Sequence, residues 1–273
     1  MRPWGELTRA ERDAAYNNPA AVKDSARLNA AREADSLAFR SAHATHLDLR
    51  YGPRERNLWD LYPSADPAEP CIVFIHGGYW QRFSKDLFAN LIAGPHARGW
   101  SAAVLGYTLA PEASLTEIAA ETRAGLDWLA AHGPTHGIAG PVILSGWSAG
   151  GHLTALCLDH PLVVAGLAIS GIFELGPLRD TYLNEKLRLT DQEIETLSPL
   201  RLPMSAKPLA IAYGTAELPP LVADSRGLHA RRSAAHLPGP LIPVPGGDHF
   251  TIVHELRDPD GILTRQVALL LPD

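Results

Sequence analysis

One serine of this chain stands where a nucleophile would have to stand. The run Gly146-Trp147-Ser148-Ala149-Gly150-Gly151 follows directly on the apolar stretch Val142 to Leu144 and leads into a segment of helical character. A serine on a tight strand-to-helix turn holds its hydroxyl clear of the backbone, and the turn needs small residues two positions to either side because both press against neighbouring chain. Gly146 and Gly150 meet that need. The chemistry on offer is attack of the hydroxyl on a carbonyl carbon while a nearby base takes its proton. The plain alternative is an ordinary Gly-rich turn with a serine capping the next helix.

Attack on a carbonyl builds negative charge on oxygen, and backbone N–H groups aimed at that point are a large catalytic contribution. The run His76-Gly77-Gly78-Tyr79-Trp80, at the end of the apolar stretch Cys71 to Ile75, has glycines that let the chain come close enough. We expect the amides of Gly78, Tyr79 and Ala149 to form the oxyanion hole, the last at a helix N-terminus whose dipole also favours an anion. His76 reads as a structural histidine that hydrogen-bonds this loop rather than as the base. Trp80, Tyr107 and Trp147 fall beside the two loops and predict an aromatic pocket for the acyl or leaving group. Core packing is the competing reading for each of them.

These loops need a frame. Short apolar runs at Cys71 to Ile75, Ala102 to Leu105, Val142 to Leu144 and Val163 to Ile169 read as strands covered on both faces. Helical stretches at about Lys85 to Ala97, Leu115 to Ala131 and Ala149 to Leu158 separate several of them, and such alternation specifies a mostly parallel sheet with helices on both faces. Thr45 to Tyr51 and Asn57 to Tyr62 alternate apolar and polar residues around a Gly-Pro turn, as an antiparallel edge hairpin does. Residues 1–42 are rich in Ala, Arg, Asp and Glu and predict a helical arm lying on a domain of residues 43–273. Within that domain the irregular segment at about 171–203 predicts a small cap. A strand at Leu209 to Tyr213, another near Leu241 to Val244 and a helix from about Gly261 to Leu271 close the α/β core.

Composition narrows the remaining classes. The 273 residues are 46% hydrophobic and 20% charged, as in ordinary globular chains, and contain no apolar run long enough to span a bilayer. The charged, polar start lacks the apolar stretch of a secretory signal, so the expected location is cytoplasmic. A net charge of −6 with no basic stripe argues against nucleic acid as a partner. No Cys-x-x-Cys or His-Glu-x-x-His spacing occurs, so neither metal nor cofactor is expected. Cys71 and Cys157, each in an apolar run, read as buried free thiols. The expected partner is a small-molecule ester or amide, and nothing in the sequence speaks against a homo-oligomer.

His76-Gly77-Gly78-Tyr79-Trp80 followed by Gly146 to His152 resembles the kynurenine formamidase-like esterases, relatives of the hormone-sensitive-lipase type of α/β-hydrolase. Tyr107 to Glu112, Asn184 to Lys186, Ser198 to Leu200, Tyr213 to Glu217 and His249-Phe250 extend the likeness, which covers about Leu47 to His254. It implies the α/β-hydrolase fold, in which the base comes last in the chain after the acid. His249, on a loop after the last predicted strand, is the expected base, with His254 in a helical context as its rival. For the acid, Glu217 lies just past a strand end at a site where the family often has Asp, with Asp224 and Asp248 as alternatives. The mechanism implied is two-step acyl transfer through an acyl-enzyme, on a carboxylic ester or, by resemblance alone, an aryl formamide. Other acyl derivatives (thioesters, activated amides) remain a second reading, and a non-catalytic ligand-binding protein of the same fold a third.

Overall fold

A computed structural model describes residues 3–271, so the first two residues of the expected arm and the last two of the expected domain lie outside it. The arm consists of α1 (Arg9–Ala15), α2 (Asn18–Ala21) and α3 (Ser25–Ala42), followed by the hairpin strands β1 (His46–Arg50) and β2 (Leu58–Tyr62). Then come β3 (Cys71–Ile75), α4 (Ala93–Ala97), β4 (Ser101–Leu105), α5 (Leu115–His132), β5 (Val142–Trp147), α6 (Ala149–Leu156) and β6 (Val163–Ile169). Two short helices, α7 (Asn184–Leu187) and α8 (Asp191–Leu197), lie between β6 and β7 (Leu209–Gly214); α9 (Pro219–Ala234), β8 (Leu241–Val244), α10 (His254–Arg257) and α11 (Ile262–Ala268) complete the chain.

The eight strands form one sheet in the order β1-β2-β4-β3-β5-β6-β7-β8. The pairs β1–β2 and β2–β4 are antiparallel and the other five parallel. Side chains of a strand alternate between faces, and β3 divides accordingly. Cys71, Val73 and Ile75 enter a core with α5, α6 and α9, while Ile72 and Phe74 enter the core under α10 and α11. With both faces covered, the central strands are almost wholly apolar, the buried Ser101 of β4 and Ser145 of β5 being polar exceptions. Among the described residues no helix is long and apolar enough to cross a membrane. Cys71 and Cys157 are buried free thiols.

One predicted helix is corrected. Lys85 to Ala97 is not continuous but comprises two 3₁₀ turns, Lys85–Leu87 and Ala89–Ile92, and the short α4. Pro95 has no N–H to return to the carbonyl of Leu91 and its ring crowds that carbonyl, so it sits in the first turn of α4 and a regular helix cannot extend back through it towards Lys85. Gly94 of the same turn packs so tightly that a Cβ there would lie 2.4 Å from the carbonyl oxygen of Leu256.

The arm is held to the sheet edge by charge. Asp60 on β2 is fully buried and pairs with Lys85 Nζ at 2.6 Å and with Arg40 Nε of α3 at 2.7 Å. Lys85 also reaches Asp48 at 2.6 Å and Asp86 at 2.8 Å. The three aspartates stand close enough together to surround a cation, and the Lys85 ammonium already occupies that role. A buried pair that loses one partner leaves the other uncompensated. Asp60→Asn is therefore expected to lower the unfolding free energy by about 3 kcal/mol, measured as a fall in the urea midpoint at unchanged slope; a loss within error would show that the network contributes nothing.

Candidate active site

The carboxyl ends of β3, β5, β6 and β7 converge on one edge, and the sequence-predicted loops leave from there. Ser148 follows the last residue of β5 with φ 58° and ψ −118°, and its N–H is fixed by the Ile169 carbonyl at 2.8 Å. The glycines at either side are sterically required. A Cβ on Gly146 would lie 2.3 Å from the Gly150 carbonyl oxygen, and one on Gly150 would lie 1.9 Å from that of Ile75. Neither contact leaves room for any side chain.

His249 sits on the loop between β8 and α10. Asp248 shapes that loop by accepting from the amides of Phe250 at 2.8 Å and Thr251 at 2.9 Å. Trp147 Nε1 donates to the His249 carbonyl at 2.9 Å, tying the loop to the serine turn. The His249 Nε2 lies 3.1 Å from Ser148 Oγ and its Nδ1 lies 3.2 Å from Glu217 Oε1. An ionised carboxylate can only accept, so Nδ1 carries the hydrogen and Nε2 is left to accept from the serine hydroxyl. Glu217 is itself positioned by Ser170, whose hydroxyl donates to Oε1 at 2.5 Å. The side chains of His249 and Glu217 are 5% and 0% exposed, which keeps the row out of competing water.

The rival residues have other occupations. Asp224 lies on α9 and accepts from the amides of Phe173 at 2.6 Å and Glu174 at 3.1 Å. His254 begins α10 and lies beside a different, shallow cavity with Asp35 and Asp258. Gly78, Tyr79 and Trp80 all have positive φ, 108°, 51° and 57°. Among the described residues the amides of Gly78, Tyr79 and Ala149 have no acceptor.

Beside Ser148 lies a cavity of about 270 Å³, lined by Trp147, Tyr79, His249 and Phe250 among others. The aromatic-pocket expectation needs correction at two of its three residues. Trp80 and Tyr107 are fully buried and do not line this cavity. Trp80 packs its ring edge-on against His152 at 4.9 Å. Tyr107 stacks on His76 at 4.3 Å and donates to the His76 carbonyl at 2.9 Å, while His76 Nδ1 donates to the Gly77 carbonyl at 2.8 Å. Both therefore brace the loop from behind. In their place the cavity is walled by Phe83, Arg82 and Tyr182, and by Asn18 and Asn29 of the arm. Nothing in the spacing of the arm marks these asparagines. Arg82 and Phe83 lie two and three positions beyond Trp80 of the His-Gly-Gly-Tyr-Trp run, a proximity that marks them in the sequence.

The arm also fixes the loop. Tyr79 Oη donates to the Tyr16 carbonyl at 2.7 Å and accepts from Asn18 Nδ2 at 3.0 Å.

Fold and geometry together define a serine hydrolase of the α/β-hydrolase class. The BD-FAE family model matches residues 60–158, from β2 through the serine turn. The kynurenine formamidase of Danio rerio is 27% identical over 99% of both chains. A crystal structure from Silicibacter sp. TM1040, described as a thioesterase candidate, superposes with a TM-score of 0.82 at 27% identity, covering 94% of this chain and 99% of its own. Esterase B of Lactobacillus rhamnosis shares the fold, with a TM-score of 0.69 at 19% identity over 95% and 93% of the two chains. The chain is similar to kynurenine formamidases over nearly its whole length and has the α/β-hydrolase fold.

Two histidines of this region stay neutral. Burial pushes the His76 imidazole down to about 3 and that of His152, whose Nε2 donates to the Leu197 carbonyl at 2.7 Å, down to about 4. The unfolded chain protonates each near pH 6.5 while the native state does not, so stability is lost as pH falls from about 6.5 towards 4. His152→Leu removes one such group. Its deficit against wild type should narrow by about 2 kcal/mol between pH 6.5 and 5, as read from urea midpoints, and a constant deficit would contradict a neutral His152.

Proposed function

We propose that Ser148 is the nucleophile, His249 the general base and Glu217 the carboxylate that orients it, and that the enzyme hydrolyses small aryl esters or aryl formamides through an acyl-enzyme. The observation that carries this is the single imidazole bridging Ser148 Oγ and Glu217 Oε1 at hydrogen-bond distance on both sides. His249 takes the serine proton as Oγ adds to the carbonyl carbon, and the imidazolium is stabilised by Glu217. The oxyanion rests on the amides of Gly78, Tyr79 and Ala149. His249 then returns the proton to the leaving oxygen or nitrogen, and water, activated by the same base, releases the acid. The similarity to kynurenine formamidases supports the formamide option, and the Silicibacter structure adds a thioester as a second substrate class.

Ser148→Ala is expected to retain less than about a thousandth of the wild-type kcat and to lose labelling by a fluorophosphonate. Glu217→Gln should fall strongly too, because the amide favours the wrong tautomer of His249, whereas Asp224→Asn and Asp248→Asn should be comparatively mild. Parallel kinetics decide this; a crippled Asp248→Asn beside an active Glu217→Gln would reassign the acid.

The segment 171–203, which we take as the cap, brings Tyr182 to the cavity wall, and a space of about 270 Å³ favours compact acyl groups. Short-chain p-nitrophenyl esters should turn over with higher kcat/KM than esters of ten or more carbons. N-formylkynurenine belongs in the same panel. Preference for the long chains would refute the compact-cavity argument, and ester turnover without formamide turnover would leave a carboxylesterase.

A further inference from the structure

The cavity beside Ser148 carries charge that hydrolysis of a neutral substrate does not use. Arg82 lines it, is exposed, and has no ion-pair partner among the described residues. No aspartate or glutamate lines the same wall. The nearest carboxylate of the reactive row, Glu217, lies behind His249 and is engaged by it and by Ser170.

A second guanidinium stands behind the wall. Arg32 of α3 is 3% exposed, and its carbon Cζ lies 5.4 Å from the Trp147 ring, 5.3 Å from that of Phe83 and 4.2 Å from that of Phe88. Trp147 and Phe83 are walls of the cavity. The Arg32 Nε donates to the Leu87 carbonyl at 3.2 Å, and among the described residues no carboxylate pairs with it. A charge buried among aromatic rings is poorly screened, so its field reaches the cavity. The molecule as a whole is acidic, with net charge −6, so a positive cavity is a local feature rather than a consequence of composition.

We propose that Arg82, with the field of Arg32 behind it, selects substrates that carry a carboxylate near the scissile acyl bond. An exposed guanidinium free of internal partners can pair with a carboxylate in a bidentate manner without first breaking another bond. This rests on the hydrolase reading of the cavity and adds the charge of the substrate to it.

The test compares acids with their own methyl esters, so that only charge differs. One pair is 4-acetoxybenzoate and methyl 4-acetoxybenzoate, with the charge on the leaving group; the other is 4-nitrophenyl hydrogen glutarate and its methyl ester, with the charge on the acyl group. In at least one pair, wild type at low ionic strength should favour the acid in kcat/KM by about five- to tenfold, chiefly through KM, and added salt should shrink the preference. Arg82→Gln should abolish the ratio, Arg82→Lys retain part of it and Arg82→Glu invert it. Labelling by a neutral fluorophosphonate verifies that each variant keeps its nucleophile. No preference in either pair, or a preference that survives Arg82→Gln, overturns the inference while ester turnover leaves the hydrolase standing. Absence of both turnover and labelling in wild type overturns the hydrolase reading, and this inference with it.

Discussion

The approach of helix α6 to strand β3 is the contact on which the cleft depends. Gly150 lies so close to the Ile75 carbonyl that a methyl group would overlap it. That closeness sets the serine turn directly beside the loop leaving β3. Gly77, just before Gly78 and Tyr79, is likewise pressed on the turn, a Cβ there falling 3.0 Å from that of Ser148. The parallel register does the rest, since Ile75 pairs with Gly146 across β3 and β5, and Trp147 with Ile169 across β5 and β6. Ser148 and Ser170 therefore leave neighbouring strands at the same level, and Glu217, a few residues past β7, comes within reach of the second while His249 reaches the first.

Much of this is legible in the sequence because sterics and hydrophobic periodicity are local. Runs such as Cys71 to Ile75 have one reading once both faces must be apolar, and a serine between Gly146 and Gly150 has few. The choice among Glu217, Asp224 and Asp248 is different. All three lie near strand ends or the base, and what separates them is the loop conformation. Asp248 turns back onto its own loop, Asp224 caps the amides at 173 and 174, and Glu217 alone of the three reaches the ring. Ser170, which donates to that same carboxylate, carries no mark in the sequence at all.

The arm is where reading from periodicity fails, for a physical reason. Its buried positions are Tyr16, Asn18, Ser25, Arg32 and Ser36, four of the five polar, while Trp4, Val22, Leu28 and Phe39 pack on the cores only partly buried, so no clean apolar stripe marks the inward face. It is held by specific bonds instead. Ser36 Oγ donates to Asn90 Oδ1 at 2.8 Å, Arg40 pairs with Asp60, and Asn18 reaches Tyr79. The aromatic residues near the serine turn are a related case. Trp80 and Tyr107 stand next to the reactive loops in sequence, but side chains from a sharply turning backbone diverge, and theirs turn inwards while Phe83 and Tyr182 face the cavity.

The tether of Tyr79 to the arm bears on the order in which the cleft can be assembled. Tyr16 and Asn18 precede Tyr79 by 63 and 61 residues, and Ser148 precedes His249 by 101. A chain emerging vectorially from a ribosome has its arm in hand long before the loop that the arm secures has been made, and the row of Ser148, His249 and Glu217 waits on nearly the whole polypeptide. The polar Asn18, Ser25, Arg32 and Ser36 of the arm's buried face suit that interval, because side chains that must wait undocked while the rest is synthesised are at ease in water.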